Sequence, residues 1–130
     1  MKVLLDTNIV VDILAKRPEF FEVSSQILSY PHEYCVSATT VTDLYYILRK
    51  SVPNTKQVLQ EFLSSFTILE VNKDVCDAAF TSKLVDFEDA IQEQSAKHGG
   101  AAYIVTRNTK DRKKSEIPSI LPDKWIEKQI

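Results

Sequence analysis

Lys2-Val3-Leu4-Leu5-Asp6-Thr7-Asn8 decides the fold: a short apolar run stops abruptly at an acid and two small polar residues, and a second apolar stretch follows. Three consecutive apolar residues fit a strand buried on both faces, as central strands of parallel sheets are. Such a strand delivers Asp6 to its own C-terminal end, and Thr7 or Asn8 is placed to cap a helix running to about Lys16. A carboxylate at the rim of a core needs a cation or a hydrogen-bond donor. Asp6 is therefore the first candidate functional residue, and its plain alternative is a helix cap.

The same alternation continues along the chain. Pro18 interrupts the first helix, a second covers Glu19 to Tyr30, and Tyr34 to Ser37 is a short strand. Ser37 or Thr39 opens a helix through Lys50, which Val52-Pro53-Asn54 breaks. An amphipathic helix over Thr55 to Ser65 precedes a strand Thr67 to Val71, and Asn72 caps the helix after it. Asp86-Phe87-Glu88-Asp89 reads as an acidic first turn of a helix ending at His98-Gly99-Gly100. Tyr103 to Thr106 is a buried strand, residues 107 to 115 a polar loop, and Ile120-Leu121 an edge strand. Pro122 then begins a closing helix that carries Trp125. Strands alternating with helices predict an α/β fold, a three-layer α/β/α sandwich with a mostly parallel central sheet and ligands at the carboxyl ends of its strands.

With 130 residues, 44% of them hydrophobic, the chain suits one domain over 1–130. Its 16 basic and 18 acidic side chains leave a formal charge of -2, so a nucleic-acid surface has to be a local patch. Cys35 and Cys76 lie in apolar segments without metal-ligand spacing, which predicts free buried thiols and a cytoplasmic setting. No apolar run approaches the roughly 20 residues that cross a bilayer, so no membrane association is expected.

Four aspartates are aimed at one cleft by this reading: Asp6, Asp43, Asp89 and Asp111. Asp89 stands three residues after Asp86, a common helix-start pattern, and helix N-terminal amides favour carboxylates whether they cap or bind a ligand. For Asp43 the helical wheel leaves two readings open. Val41, Leu44, Tyr45 and Leu48 form the core stripe and Asp43 projects away from it, yet Tyr46 and Ile47 beside it imply a partly covered face. Asp111 lies in a loop with Arg107, Lys110, Arg112, Lys113 and Lys114, where carboxylates hold an ion and cations hold phosphate, or where all are simply solvated. Oxygen ligands without Cys or a well-placed His point to Mg²⁺ or Mn²⁺ rather than zinc. His32 and His98 read as structural.

Three stretches in this order, Leu4 to Asp12, Asp86 to Ala90 and Val105 to Asp111, resemble the PIN-domain family along essentially the whole chain. The resemblance implies a metal-dependent endoribonuclease acting on single-stranded RNA, with Asp6, Asp43, Asp89 and Asp111 as its catalytic and metal-binding acids. Asn8 and Thr106 match the polar residues that support such a cluster, and Arg107, Asn108, Lys110 and Arg112 stand where substrate contacts are expected. Many members are toxins, of the VapC type, held by a small antitoxin protein, and homodimers are common among them. Phe20-Phe21 and Tyr45-Tyr46 suit such interfaces, or the core. Two positions depart from the family pattern: Asp43 replaces a commoner Glu, and Arg112 stands where an aromatic residue is usual. Those departures motivate an alternative, a PIN-like protein- or RNA-binding module with weak or no nuclease activity. A phosphatase with an aspartyl nucleophile wants a second acid at position 8, where Asn8 stands.

Overall fold

Val3, Leu4 and Leu5 have no solvent exposure. In the computed structural model, which describes residues 1–130, they form β1 (Lys2–Leu5), the middle strand of a sheet. The chain continues through α1 (Thr7–Leu14), α2 (Phe21–Ile27), β2 (Glu33–Ser37), α3 (Ala38–Leu48), α4 (Thr55–Leu63) and β3 (Thr67–Leu69). It closes with α5 (Lys73–Phe80), α6 (Phe87–Gly99), β4 (Tyr103–Val105), β5 (Ser119–Ile120) and α7 (Pro122–Gln129). The strand order is β3-β2-β1-β4-β5 and every neighbouring pair is parallel, so the sheet is parallel throughout.

Side chains of successive strand residues point to opposite faces, and this sorts the core into layers. Val3, Leu5, Val36 and Val105 face a large cluster that takes in Ile9 and Val10 of α1, Ile27 of α2, Leu44 and Leu48 of α3, Leu59 and Leu63 of α4, and Trp125 of α7. Leu4, Cys35 and Ile104 turn the other way, onto Ala96 of α6 and Ala101. A third cluster of Ala79, Leu84, Ala90 and Ile91 joins α5 to α6. The three-layer α/β/α arrangement expected from the alternation is the one observed.

Helix ends follow local chemistry. Asn72 accepts from Val75 N and Asp86 accepts from Asp89 N, each at the start of its helix. Gly100 ends α6 at φ +78°, in the left-handed region that favours glycine. Pro122 is the first residue of α7.

Several boundaries differ from expectation. Thr7 and Asn8 lie inside α1, and Asp6 takes the position before it with no side-chain capping bond, because its carboxylate is committed elsewhere. Of the two residues expected to open α3, Ser37 is the one that stands before it. β3 ends at Leu69 because its partner β2 ends opposite it, at Ser37, and leaves Glu70 and Val71 without a ladder. The polar loop contains a single 3-10 turn, Lys110–Arg112, and the edge strand is Ser119–Ile120 rather than Ile120-Leu121.

Cys35 is buried and Cys76 half-buried, and both are free. Burial first, then the charge of Glu33, pushes the Cys35 thiol up to about 11. No helix is long and apolar enough to cross a membrane. His32 lies edge-on to Trp125 and against Gln129, and His98 binds the Gln94 carbonyl, so both histidines serve packing.

Candidate active site

Asp6 leaves the central strand at the point where the sheet's connections diverge, β2 on one side and β4 on the other, which is where crevices open in parallel sheets. Its side chain is 9% exposed and bound from two directions. Thr106 Oγ1, at the end of β4, donates to Oδ2 at 2.8 Å, and Gln92 Nε2, from α6, donates to Oδ1 at 3.2 Å. Thr106 Oγ1 also accepts from Asn108 N at 3.0 Å, which fixes the hydroxyl proton toward the carboxylate.

Asp89 arrives from the first turn of α6 and is joined to Asp6 through Arg112. The Arg112 side chain has no solvent exposure, and its Nη2 lies 2.8 Å from Asp89 Oδ1, 3.3 Å from Asp6 Oδ2 and 2.7 Å from Gln92 Oε1. Nε and Nη1 of the same guanidinium are buried without a partner. One nitrogen thus serves the whole cluster, the reverse of the two-nitrogen fork by which arginine usually grips a carboxylate. Burial holds the Asp89 carboxyl above its ordinary range; Arg112 pulls it down, and the charges of Asp86, Asp6 and Asp111 add to the rise.

Asp43 reaches the cleft by a route that the wheel did not register. A buried relay of hydroxyls, Thr7 to Thr40 at 3.2 Å and Thr40 to Ser37 at 3.2 Å, ties the start of α3 to the end of β1. Asp43 stands one turn beyond Thr40, on the same side of the helix, and is half-buried. Tyr46 and Ile47 are 61% and 47% exposed, so they do not cover that face. Glu88 lies near Asp43 and is exposed at the surface; its carboxyl is pushed up to about 7, first by partial loss of solvation and then by the neighbouring carboxyls of Asp43, Asp6 and Asp86.

The other expected residues are placed variously. Asp111 is exposed and held within its loop, accepting from Asn108 Nδ2 at 2.9 Å while its own N–H meets Asn108 Oδ1 at 3.4 Å. Asn108 is therefore occupied with Asp111. Lys110 and Asn8 are exposed, and Thr106 is fully buried behind Asp6.

Two expectations need correction. Arg107 is no free phosphate contact: its Nε and Nη2 grip the fully buried Asp12 at 2.8 and 3.2 Å, and its guanidinium lies 4.0 Å over the Phe20 ring. Arg112 is no phosphate contact either, since it is buried against the acids themselves. Arg107 gives the buried Asp12 its shortest contacts, ahead of Ser24 at 3.4 Å and Arg17 at 3.5 Å, and Arg112 is the cation at Asp6 and Asp89.

Glu88, Gln92, Thr7, Thr40 and Asp12 were not singled out from the sequence. Gln92 follows Asp89 by three residues and so shares its side of the helix, but it opens a polar run, Gln92 to Ser95, that hides it in the sequence. Glu88 carried no signal, because an acid in the first turn of a helix looks like any other.

The donors suit a hard divalent cation in kind: all are oxygens, and the Asp43–Glu88 side of the cluster is crowded with negative charge that no guanidinium offsets. As folded, however, no three acids converge closely enough to hold one ion, and Arg112 supplies the positive charge at Asp6 and Asp89.

With this geometry in view, comparisons with known proteins are informative. The family model for the PIN domain matches residues 2–110. The ribonuclease VapC2 of Haemophilus influenzae is 39% identical over 72 residues, 54% of this chain and 53% of that protein. The matched stretch thus spans about half the length of that curated relative and, equally, of the ribonuclease VapC from a second strain of Haemophilus influenzae. Among solved structures, a toxin-antitoxin complex from Klebsiella pneumoniae matches at 26% identity and a TM-score of 0.74, covering 92% of this chain and 97% of that one. VapBC2 from Rickettsia felis, bound to a DNA fragment from its promoter, matches in fold at 20% identity and a TM-score of 0.72, covering 93% and 98%.

Proposed function

The chain belongs to the PIN-domain family, and on that premise we propose that it is a metal-dependent endoribonuclease for single-stranded RNA, the toxin of a toxin-antitoxin pair. The observation that carries this reading is the meeting of Asp6 and Asp89 at the carboxyl end of the central strand, with Asp43 and Glu88 beside them. Asp6, Asp89 and Asp43, with Asp111 at the rim and Glu88 as a fifth acid, would have to draw closer than they stand in this fold to hold Mg²⁺ or Mn²⁺. When bound, such an ion supplies polarisation of the scissile phosphate and a water of lowered pKa. A protein nucleophile is not needed.

The chain's own residues do the positioning. Thr106 and Gln92 donate to opposite oxygens of Asp6, so the carboxylate cannot rotate away from the cleft. Glu88 stands beside the other acids, and its carboxyl is pushed up to about 7 while no cation offsets the charges of Asp43, Asp6 and Asp86. Lys110, Lys113 and Lys114, all exposed, are the cations left free for phosphate.

The kinship with VapC ribonucleases and toxin-antitoxin assemblies supports a cytoplasmic RNA target, a small antitoxin protein that covers the cleft, and a homodimer. Cleavage of an RNA panel by wild type, Asp6→Asn and Asp89→Asn, with and without Mn²⁺, tests the reading. Metal-dependent cutting that both substitutions abolish is expected, and equal activity in all three proteins defeats it.

Arg112 favours a second reading, a binding module with weak or no nuclease activity, because its guanidinium already answers the charge of Asp6 and Asp89. Calorimetry separates the two: measurable Mn²⁺ binding by the wild type supports the nuclease, and none supports the module.

A further inference from the structure

Beside the acid cluster lies an aromatic surface to which the proposed chemistry assigns no role. Phe80 ends α5 and Phe87 begins α6, and their rings stack at 5.0 Å between centroids and 28° between planes while remaining 72% and 48% exposed. Val85, between them in sequence, is fully exposed. Large apolar side chains bared together are a cost that a chain carries where something covers them. The segment that bears them is not slack: Leu84 is buried in the α5–α6 cluster, and Ser82 Oγ accepts from Leu84 N while donating to the buried Glu93 at 2.6 Å.

Phe87, Val85 and Leu84 line a cavity of about 790 Å³ together with Lys83, Lys110, Lys113 and Lys114 and the acids Asp86 and Asp111. None of the four lysines makes an ion pair. The two acids are engaged, Asp86 with Asp89 N and Asp111 with the Asn108 amide. The cavity adjoins the cluster through the first turn of α6, which gives Phe87 to one and Asp89 to the other.

We propose that this cavity is a stacking subsite for single-stranded RNA, in which an unpaired base lies on Phe87, backed by Phe80, and the flanking phosphates are held by Lys83, Lys110, Lys113 and Lys114. An aromatic face beside unpaired cations is what a polyanion with planar bases requires. The assignment rests on the ribonuclease reading for its substrate class, and it adds a position that selects unpaired RNA, since a base inside a duplex cannot present its face to Phe87.

Binding of labelled, unstructured oligoribonucleotides in EDTA, where a metal-dependent nuclease does not cut, tests the subsite without calling on the chemistry. Phe87→Leu keeps the apolar volume and removes the ring face; it should weaken binding by about tenfold or more and abolish the stacking-induced quenching of 2-aminopurine placed along the strand. Phe87→Trp should retain both. Lys113→Gln with Lys114→Gln should lower the slope of log affinity against log salt by about 1.4.

The proposal fails if wild type does not bind RNA in EDTA. It also fails if Phe87→Leu binds as wild type does, including the case in which Phe87→Leu only dissociates a dimer or loosens a protein partner, for then the face is a protein interface. Phe87-dependent binding by a chain that cuts nothing upholds the subsite and discards the nuclease. Cutting with Phe87-independent binding does the opposite.

Discussion

Arg112 and Asp89 are joined by a 2.8 Å bond from Nη2 to Oδ1, with the arginine wholly buried and the carboxylate partly so. The arginine comes from the 3-10 turn after β4 and the acid from α6, so the contact is tertiary and gives the cluster an internal counter-ion.

An ion at Asp6 and Asp89 and the Arg112 guanidinium are therefore alternatives for the same charge. In EDTA, Arg112→Met should lower stability by about 3–5 kcal/mol, since it leaves two carboxylates without their cation. Mn²⁺ should then raise the melting temperature of the variant more than that of wild type. Thermal melts of both proteins with and without Mn²⁺ check this; equal metal-induced shifts would show that Arg112 and the ion do not compete.

Arg107 is expected to matter for stability and not for RNA. Arg107→Ala leaves Asp12 buried with only Ser24 at 3.4 Å and Arg17 at 3.5 Å, both weak contacts. Denaturant unfolding should show a loss of about 3–5 kcal/mol, partly restored by Asp12→Asn in the same chain, while RNA affinity at a fixed fraction folded stays unchanged. A selective loss of RNA affinity would return Arg107 to the substrate side.

Glu88 ties stability to pH in a definite direction. Its carboxyl is pushed from the usual 4.5 up to about 7 in the folded chain, so the folded state binds its proton more tightly than the unfolded state does. The stability linked to that proton is fully present below about 4.5 and is lost as pH rises through about 7. In EDTA, Glu88→Gln should accordingly be more stable than wild type at pH 8, with the difference vanishing in mild acid. Asp43→Asn should lower the Glu88 titration observed by NMR; a titration that stays in place would mean that Asp43 does not face it.

Thr106 positions Asp6 and makes no contact with solvent. Thr106→Val keeps the shape but removes the donor to Asp6 Oδ2 and the acceptor of Asn108 N, at a cost of about 1–3 kcal/mol. If the nuclease reading holds, turnover should fall further than substrate affinity, and Thr106→Ser should recover both.

What the sequence made legible was whatever local chemistry controls. The apolar run of β1, the caps at Asn72 and Asp86, the glycine end of α6 and Pro122 at the head of α7 all depend on residues within a turn of one another. The destination of long side chains was not legible, because it depends on which buried charge lies within reach. Arg107 and Arg112 sit in a run of lysines and arginines that looks uniformly solvated, yet Asp12 takes one and the pair Asp6 and Asp89 takes the other, while the lysines stay out. The wheel left the face of Asp43 open for a related reason. A wheel averages over a whole helix, whereas α3 buries its first turn at Thr40 against the strand ends and exposes the same side further along at Ile47.

The placement of β1 in the middle of the sheet also sets an order of assembly. Asp6 is made first, but its hydroxyl partner Thr106 follows 100 residues later, and Arg112 later still. Pairings of such long range are closed late and slowly. While the chain emerges, its first strand has β2 on one side and bare backbone on the other, and the carboxylate at its tip has no fixed direction. The cleft of the proposed activity is thus assembled only once β4 and the turn after it have joined the sheet, so the same late contacts that complete the fold also complete the site.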